Sequence, residues 1–331
     1  MSRLPTIADI EAAGARLLSH ARRTPLLAGS PLDASSGRRI LFKLETLQHT
    51  GSFKFRGAYN RLAQLDGPAR RRGVVAYSSG NHAQGVAAAA RLLDIPATIV
   101  MPRDAPRTKL ENTRALGASV VEYDRERESR EEIAARIAHE RQAVVVPAFD
   151  DPDIIAGQGT VGLEIAEQCA ELGVTPDDVV VSASGGGLVA GIALALEARM
   201  PGARVWTAEP AGFDDHQRSL AAGRRLRNER LSGSICDALM APTPGEITFE
   251  INRRLLAGGL VATDDEVRDA VAWAARDLKL VVEPGGAVGL ACVQSGRLPT
   301  LGQSVVVVLT GGNIDATLLR SILADAPGAG A

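Results

Sequence analysis

Short β-branched runs alternate with longer helical patterns along most of this 331-residue chain, and that alternation constrains the fold more than any other feature. Residues 74–77, 97–101, 119–123 and 143–146 read as strands, with helical patterns at 81–93, 106–116 and 129–141 between them. A second series places strands at 179–183, 204–208, 260–263 and 304–309, and helices at 187–199, 264–278 and 287–294. In the helix opening with Thr263-Asp264-Asp265-Glu266, the residues Val267, Val271, Ala274, Ala275 and Leu278 line one face. Runs that are apolar at every position, such as 305–309, call for helices over both faces of their sheet. Strand–helix–strand order of this kind predicts an α/β fold with parallel sheets and right-handed crossovers, built as two lobes or one large unit. In such sheets ligands bind beyond the carboxyl ends of the strands, so breaks in the hydrophobic pattern at those ends mark candidate chemistry.

Charge and cysteine usage narrow the function classes. The 37 basic and 39 acidic residues leave a formal charge of −2, which gives no reason to expect nucleic acid or a membrane surface as partner. Cys169, Cys236 and Cys292 lie far apart and form neither a CxxC pair nor a disulfide framework. The amphipathic, acid-containing start lacks the apolar core of a signal peptide, and no run approaches the roughly 18 apolar residues of a membrane span. A cytoplasmic location is expected. Aromatic residues are only 3% of the chain, so the core must be built from Val, Leu, Ile and Ala. The basic segment 224–230 and the small-residue tail 326–331 read as solvated surface. Lysine occurs only at positions 43, 54, 109 and 279, with arginine supplying the remaining positive charge. Because guanidinium stays protonated, any amine chemistry has just these four candidates.

Four segments interrupt the pattern at strand ends. Residues 50–57 (TGSFKFRG) carry Lys54 between two aromatics beside a glycine turn, which suits either chemistry or plain surface capping. Ser78-Ser79-Gly80-Asn81-His82 opens a helix, and its hydroxyls and amides suit an anion as well as they suit an ordinary Ser/Asn cap. Ser184-Gly185-Gly186-Gly187-Leu188 leaves backbone amides uncovered at a helix N-terminus, where they can wrap a phosphate. It matches neither GxxxxGK[ST] nor GxGxxG, which argues against a nucleoside triphosphate or a dinucleotide. The fourth segment is Thr310-Gly311-Gly312-Asn313.

Taken together and in this order, GSFKFRGA at 51–58, SSGNHAQG at 78–85, SGGGL at 184–188 and TGGN at 310–313 resemble the fold type II (β-family) pyridoxal-phosphate (PLP) enzymes. Among these, the serine/threonine dehydratases and serine racemase are the nearest in pattern. The resemblance runs from Thr24-Pro25-Leu26 to Asn313 and includes Ile155-Ala156-Gly157-Gln158-Gly159-Thr160, Ala208-Glu209-Pro210 and Glu283-Pro284-Gly285-Gly286-Ala287. It implies two open twisted parallel-rich sheets flanked by helices. A small domain at 73–147 would be inserted in a large PLP-binding domain at 1–72 and 148–331. It also implies a homo-oligomer, dimer or tetramer.

The same resemblance assigns roles. Lys54 would form the Schiff base with the cofactor, Phe53 would pack on the ring, and Ser79 would stand on the ring face opposite Lys54. Asn81 would bond the ring hydroxyl, and Ser184, Gly185, Gly186, Gly187 and Leu188 would bind the phosphate. Thr310 would meet the pyridine nitrogen, with Glu283 nearby. Ser78, Ser79, Asn81 and His82 would take the substrate carboxylate. Arg130, in Glu128-Ser129-Arg130-Glu131, would approach the second carboxylate of a dicarboxylic substrate or remain a solvated charge. Glu209, the Phe213 carbonyl and Asp215 would hold a divalent cation, Mg²⁺ or else Ca²⁺ or Mn²⁺. Two positions depart from the usual pattern: Ser184 stands where the family commonly has a fourth glycine, and Thr310 where it commonly has Ser or Cys. The Pro-rich stretch 239–245 departs from the racemase pattern and remodels the pocket rim. The implied activity is that of an L-threonine/L-serine ammonia-lyase giving a 2-oxo acid. A 3-hydroxyaspartate dehydratase or a serine racemase is the alternative on the same scaffold. A nucleotide-binding oxidoreductase is disfavoured by the missing GxGxxG, and a non-catalytic binding module by the joint presence of Lys54, Ser79 and Thr310. With little sequence after Asn313, the regulatory domain of biosynthetic threonine dehydratases is not expected.

Overall fold

The computed structural model describes residues 3–326 except 79, 106, 125 and 301, and the side chains of all of these but Ser35 and Thr108. Its strands are β1 (Leu26–Leu27), β2 (Arg39–Leu44), β3 (Val74–Tyr77), β4 (Ala97–Pro102), β5 (Ser119–Tyr123), β6 (Val144–Val145), β7 (Asp178–Ser182), β8 (Arg204–Pro210), β9 (Leu256–Ala262) and β10 (Ser304–Leu309). They form two sheets, one in the order β1-β2-β10-β7-β8-β9 and the other in the order β5-β4-β3-β6. Every pairing is parallel except β1 with β2. The fold is thus α/β, with two mostly parallel sheets flanked by helices. Strand β10 shows why: Ser304–Leu309 is buried along its whole length between β2 and β7, and only a run apolar on both faces can occupy that place.

Helices Asp264–Trp273 and Pro284–Gln294 cover one face of the larger sheet, and Pro152–Glu171 and Gly187–Arg199 the other. The core is mostly Val, Ile, Leu and Ala, with few aromatics. Several expected bounds shift: the helix expected at 287–294 starts at Pro284, and the strand expected at 143–146 is Val144–Val145. The β9 strand starts at Leu256 rather than 260, because backbone pairing to β8 carries through Ala257-Gly258-Gly259, which has no β-branched side chain to signal a strand. The helix from 264 ends its α-helical part at Trp273, continues as a π turn over Ala274–Leu278, and stops at Lys279 in the left-handed region. No helix among the described residues is long and apolar enough to cross a membrane.

The larger half carries a largely buried ionic network. The Arg56 guanidinium bonds both oxygens of Glu45 at 2.8 Å and both of Glu164 at 2.7 and 2.9 Å. Lys43 Nζ shares Glu164 at 2.5 Å and also donates to Gln168 and the Thr24 carbonyl. Burial pushes the Glu45 carboxyl up, but the Arg56 charge and hydrogen bonds outweigh it and hold Glu45 below the ordinary range. The network joins the end of β2, the helix Lys54–Ala63 and the helix Pro152–Glu171.

Arg56→Met should destabilise the fold by about 3–5 kcal/mol in denaturant unfolding, because it strands two carboxylates against one buried lysine. The wild-type contribution should be complete above the ordinary Glu pKa of 4.5 and lost as pH falls below it, since Glu45 is lowered in the folded state. A loss under about 1 kcal/mol would contradict this account of the network.

Candidate active site

The carboxyl ends of β3, β7 and β10 open on a cavity of about 370 Å³. Its walls bring together Phe53, Lys54, Ser78, Asn81, His82, Arg130, Ser184 through Leu188, Glu283 and Thr310, segments remote in sequence. Ser79 lies outside the described residues. The cation residues Glu209, Phe213 and Asp215 are not in this wall.

Lys54 is the first residue of the helix Lys54–Ala63. Its Nζ donates to the Ala148 carbonyl at 2.7 Å and stands 5.1 Å from the centre of the Phe53 ring. No carboxylate compensates its charge, so burial lowers its pKa to about 8. The Phe53 amide donates to the Thr310 carbonyl at 3.2 Å, which ties the lysine turn to the end of β10.

On the same cavity, the glycine-rich loop leads into the helix Gly187–Arg199. Gly186 has φ +91°, a conformation open to glycine, and a Cβ there would lie 2.4 Å from His216 Nε2. A Cβ on Gly185 would lie 2.2 Å from the Phe149 ring. The loop therefore presents amides and no side chains at a helix N-terminus, a cradle whose chemistry fits a phosphate. Ser184 is the exception, and its Oγ accepts the Ala241 amide at 3.2 Å, tying the loop to the Pro-rich rim.

Asn81 begins the helix Asn81–Leu92. Its amide donates to Glu283 Oε1 at 2.5 Å and accepts from Asn313 Nδ2 at 2.7 Å, leaving one amide proton for a ligand. Burial pushes Glu283 up to about 7. His82 Nε2 meets the Val146 carbonyl at 2.9 Å, and burial together with the Lys54 charge pushes its pKa down to about 3, so the ring is neutral. Arg130, the first residue of the helix Arg130–Arg141, pairs with Glu131 at 2.8 Å and lies 5.6 Å from the Tyr77 ring centre. It lines the cavity with its side chain 45% exposed, so the guanidinium is accessible to a ligand.

The cavity also has walls that sequence reading did not place there: Tyr77, Phe149, Asp150, and the ion pair of Lys109 with Asp237 at 2.8 Å. Lys109 and Asp237 are 128 residues apart, and no local pattern marks such a pair.

At the carboxyl end of β8, Glu209 accepts the His216 and Gln217 amides at 2.8 Å each. Asp215 Oδ1 accepts from Asn228 Nδ2 at 2.7 Å, while Asp215 Oδ2 and His216 Nδ1 are buried without a hydrogen-bond partner and lie 3.9 Å apart. Burial first, and then the Glu209 charge, push Asp215 up to about 7. Buried carboxylates and an orphaned oxygen facing one point fit a divalent cation, and the ligating atoms of Glu209, Asp215 and His216 lie within 4.8 Å of one another. His216 was missed in the sequence, although it adjoins Asp215. Phe213 is buried in the turn between the two acids, with its amide on the Pro210 carbonyl.

A buried lysine and an amide cradle on one cavity of an α/β frame fit a PLP enzyme, and comparison agrees. The family described as pyridoxal-phosphate dependent enzyme matches residues 17–311. The chain is 42% identical over 315 residues to an L-threo-3-hydroxyaspartate ammonia-lyase of a Pseudomonas species, covering 95% of this chain and 97% of that one. It is 41% identical to an L-threonine ammonia-lyase of Thermotoga maritima, over 96% of this chain and 78% of the relative. The structure of maize serine racemase superposes with a TM-score of 0.90 at 38% identity, over 97% of each chain. The chain belongs to the fold type II PLP enzymes, in the threonine dehydratase, serine racemase and hydroxyaspartate ammonia-lyase family.

An aldehyde is attacked by the neutral amine, which predominates for Lys54 above a pH of about 8 rather than the 10.5 of an ordinary lysine. Uptake of PLP by the full chain stripped of cofactor should therefore speed up with pH and level off above about 8. A rate still climbing near pH 10 would contradict the burial argument.

Proposed function

We propose that this chain is a hydroxyamino-acid ammonia-lyase, converting L-threonine or L-serine to a 2-oxo acid and ammonia by loss of the β-hydroxyl. The observation that carries the reading is Lys54, an amine on the same cavity as the amide cradle, with a pKa lowered by burial. When bound, PLP supplies the electron sink for the pair left at Cα. Lys54 would hold the cofactor through its amine and, once freed by the substrate amine, would be the base for the Cα proton. The amides of Gly185 to Gly187 and the Ser184 hydroxyl hold the phosphate, and Phe53 packs on the ring. Asn81, steadied by Glu283 and Asn313, bonds the ring hydroxyl. Thr310 would offer the ring nitrogen a neutral hydroxyl rather than a carboxylate, which would do little to hold a proton there and would favour loss of the β-hydroxyl. The substrate carboxylate rests on the 78–82 turn, with His82 neutral beside it. Ser79 would donate a proton from the far face in any racemisation.

Glu209, Asp215 and the Phe213 carbonyl would hold Mg²⁺, or Ca²⁺ or Mn²⁺, whose charge would offset the two carboxylates. Residues 73–147 would be the small domain, a division supported by the confinement of β3 to β6 within them. Assembly as a dimer or tetramer follows the family pattern.

Arg130 favours a second reading, 3-hydroxyaspartate as substrate, because its guanidinium lines the same cavity. A panel of L-threonine, L- and D-serine and L-threo-3-hydroxyaspartate, scored for 2-oxo acid and for enantiomer exchange, tests both readings. With Arg130→Met, kcat/KM for the dicarboxylate should fall about 10- to 100-fold, while that for L-threonine changes less than about threefold. Enantiomer exchange without 2-oxo acid would overturn the lyase reading, and equal losses for both substrates would remove Arg130 from substrate selection.

A further inference from the structure

Glu209 lies at the carboxyl end of β8 with Asp215 just after it, and the phosphate loop follows β7, the neighbouring strand in the sheet. Two polar routes join these loops. On the first, the buried His216 ring turns Nδ1 toward Glu209 Oε1 at 3.6 Å and Asp215 Oδ2 at 3.9 Å. Its Nε2 meets Asn252 Nδ2 at 3.2 Å, and the same amide nitrogen approaches the Gly186 carbonyl at 3.5 Å. On the second, Asn228 Nδ2 donates both to Asp215 Oδ1 at 2.7 Å and to the Ala241 carbonyl at 2.9 Å, and the Ala241 amide donates to Ser184 Oγ at 3.2 Å.

The His216 ring thus stands between the two carboxylates and the Asn252 amide that approaches the Gly186 carbonyl, while Asn228 bridges Asp215 to the residue that bonds Ser184. A cation that draws the Glu209 and Asp215 carboxylates together moves both sets of contacts, and with them the phosphate loop.

We propose that cation occupancy at Glu209 and Asp215 is coupled to retention of the cofactor phosphate, with His216 and Asn228 as the positioning residues that carry the coupling. The proposal rests on the cation reading above. Coupling of this kind is reciprocal and is measured as a ratio, which a merely structural role would not move.

The test follows PLP release from diluted holoenzyme, by its visible absorbance, in EDTA and in saturating Mg²⁺, with calorimetry of Mg²⁺ binding in parallel. Mg²⁺ should slow release at least about fivefold in the wild type. Asn252→Leu cuts the first route and Asn228→Leu the second. Each should lower the ratio, and the pair should bring it within about twofold of unity while Mg²⁺ still binds. If the double variant does not fold, the single variants decide, and a wild-type ratio in both overturns the proposal. Mg²⁺ binding without any effect on release refutes the coupling and leaves the cation site standing. Absence of Mg²⁺ binding removes the cation site and the coupling together.

Discussion

Arg56 is the residue on which the arrangement of the site depends. A guanidinium that is only 1% exposed must be neutralised inside the protein, and Glu45 and Glu164 do so from two different elements. Satisfying that charge fixes the start of the helix Lys54–Ala63 against both the end of β2 and the helix Pro152–Glu171. Lys54, two residues before Arg56, is thereby aimed into the cavity. Breaking the network would leave charge buried without a partner, so the geometry of the amine is held by one of the costliest contacts to lose.

The four lysines show how environment rather than residue type selects the amine. Lys43 is consumed by Glu164, Gln168 and the Thr24 carbonyl. Lys109 is paired with Asp237, and exposed Lys279 bonds the Arg276 carbonyl. Lys54 alone combines a cavity-facing position with a carbonyl acceptor and no carboxylate, and burial can then lower its pKa. Across the cavity, the glycine loop works by subtraction: Phe149 and His216 fill the space its side chains would need, so the amides are what remains exposed.

What could be read from the sequence was local. The apolar runs gave away the parallel sheets, and the strand-end motifs around Lys54, Asn81, Gly185 and Thr310 lie on one cavity because parallel strands point their carboxyl ends the same way. Arg56 sat inside a recognised motif, yet its partner Glu164 is 108 residues away and carries no local mark. His216 was missed because nothing in its neighbours tells that its ring is buried between two carboxylates and a glycine loop. The early start of β9 was hidden by Ala257-Gly258-Gly259, whose pairing is made by backbone alone. The role expected for Ser79 falls on a residue outside the described ones.

The claim that one lysine is set apart by its surroundings can be tested in one measurement. Borohydride reduction of the holoenzyme fixes the cofactor on the amine that holds it, and peptide mass mapping then locates the adduct. The account predicts the adduct on the peptide containing Lys54 and on no other. An adduct on Lys43, Lys109 or Lys279 in place of Lys54 would contradict it.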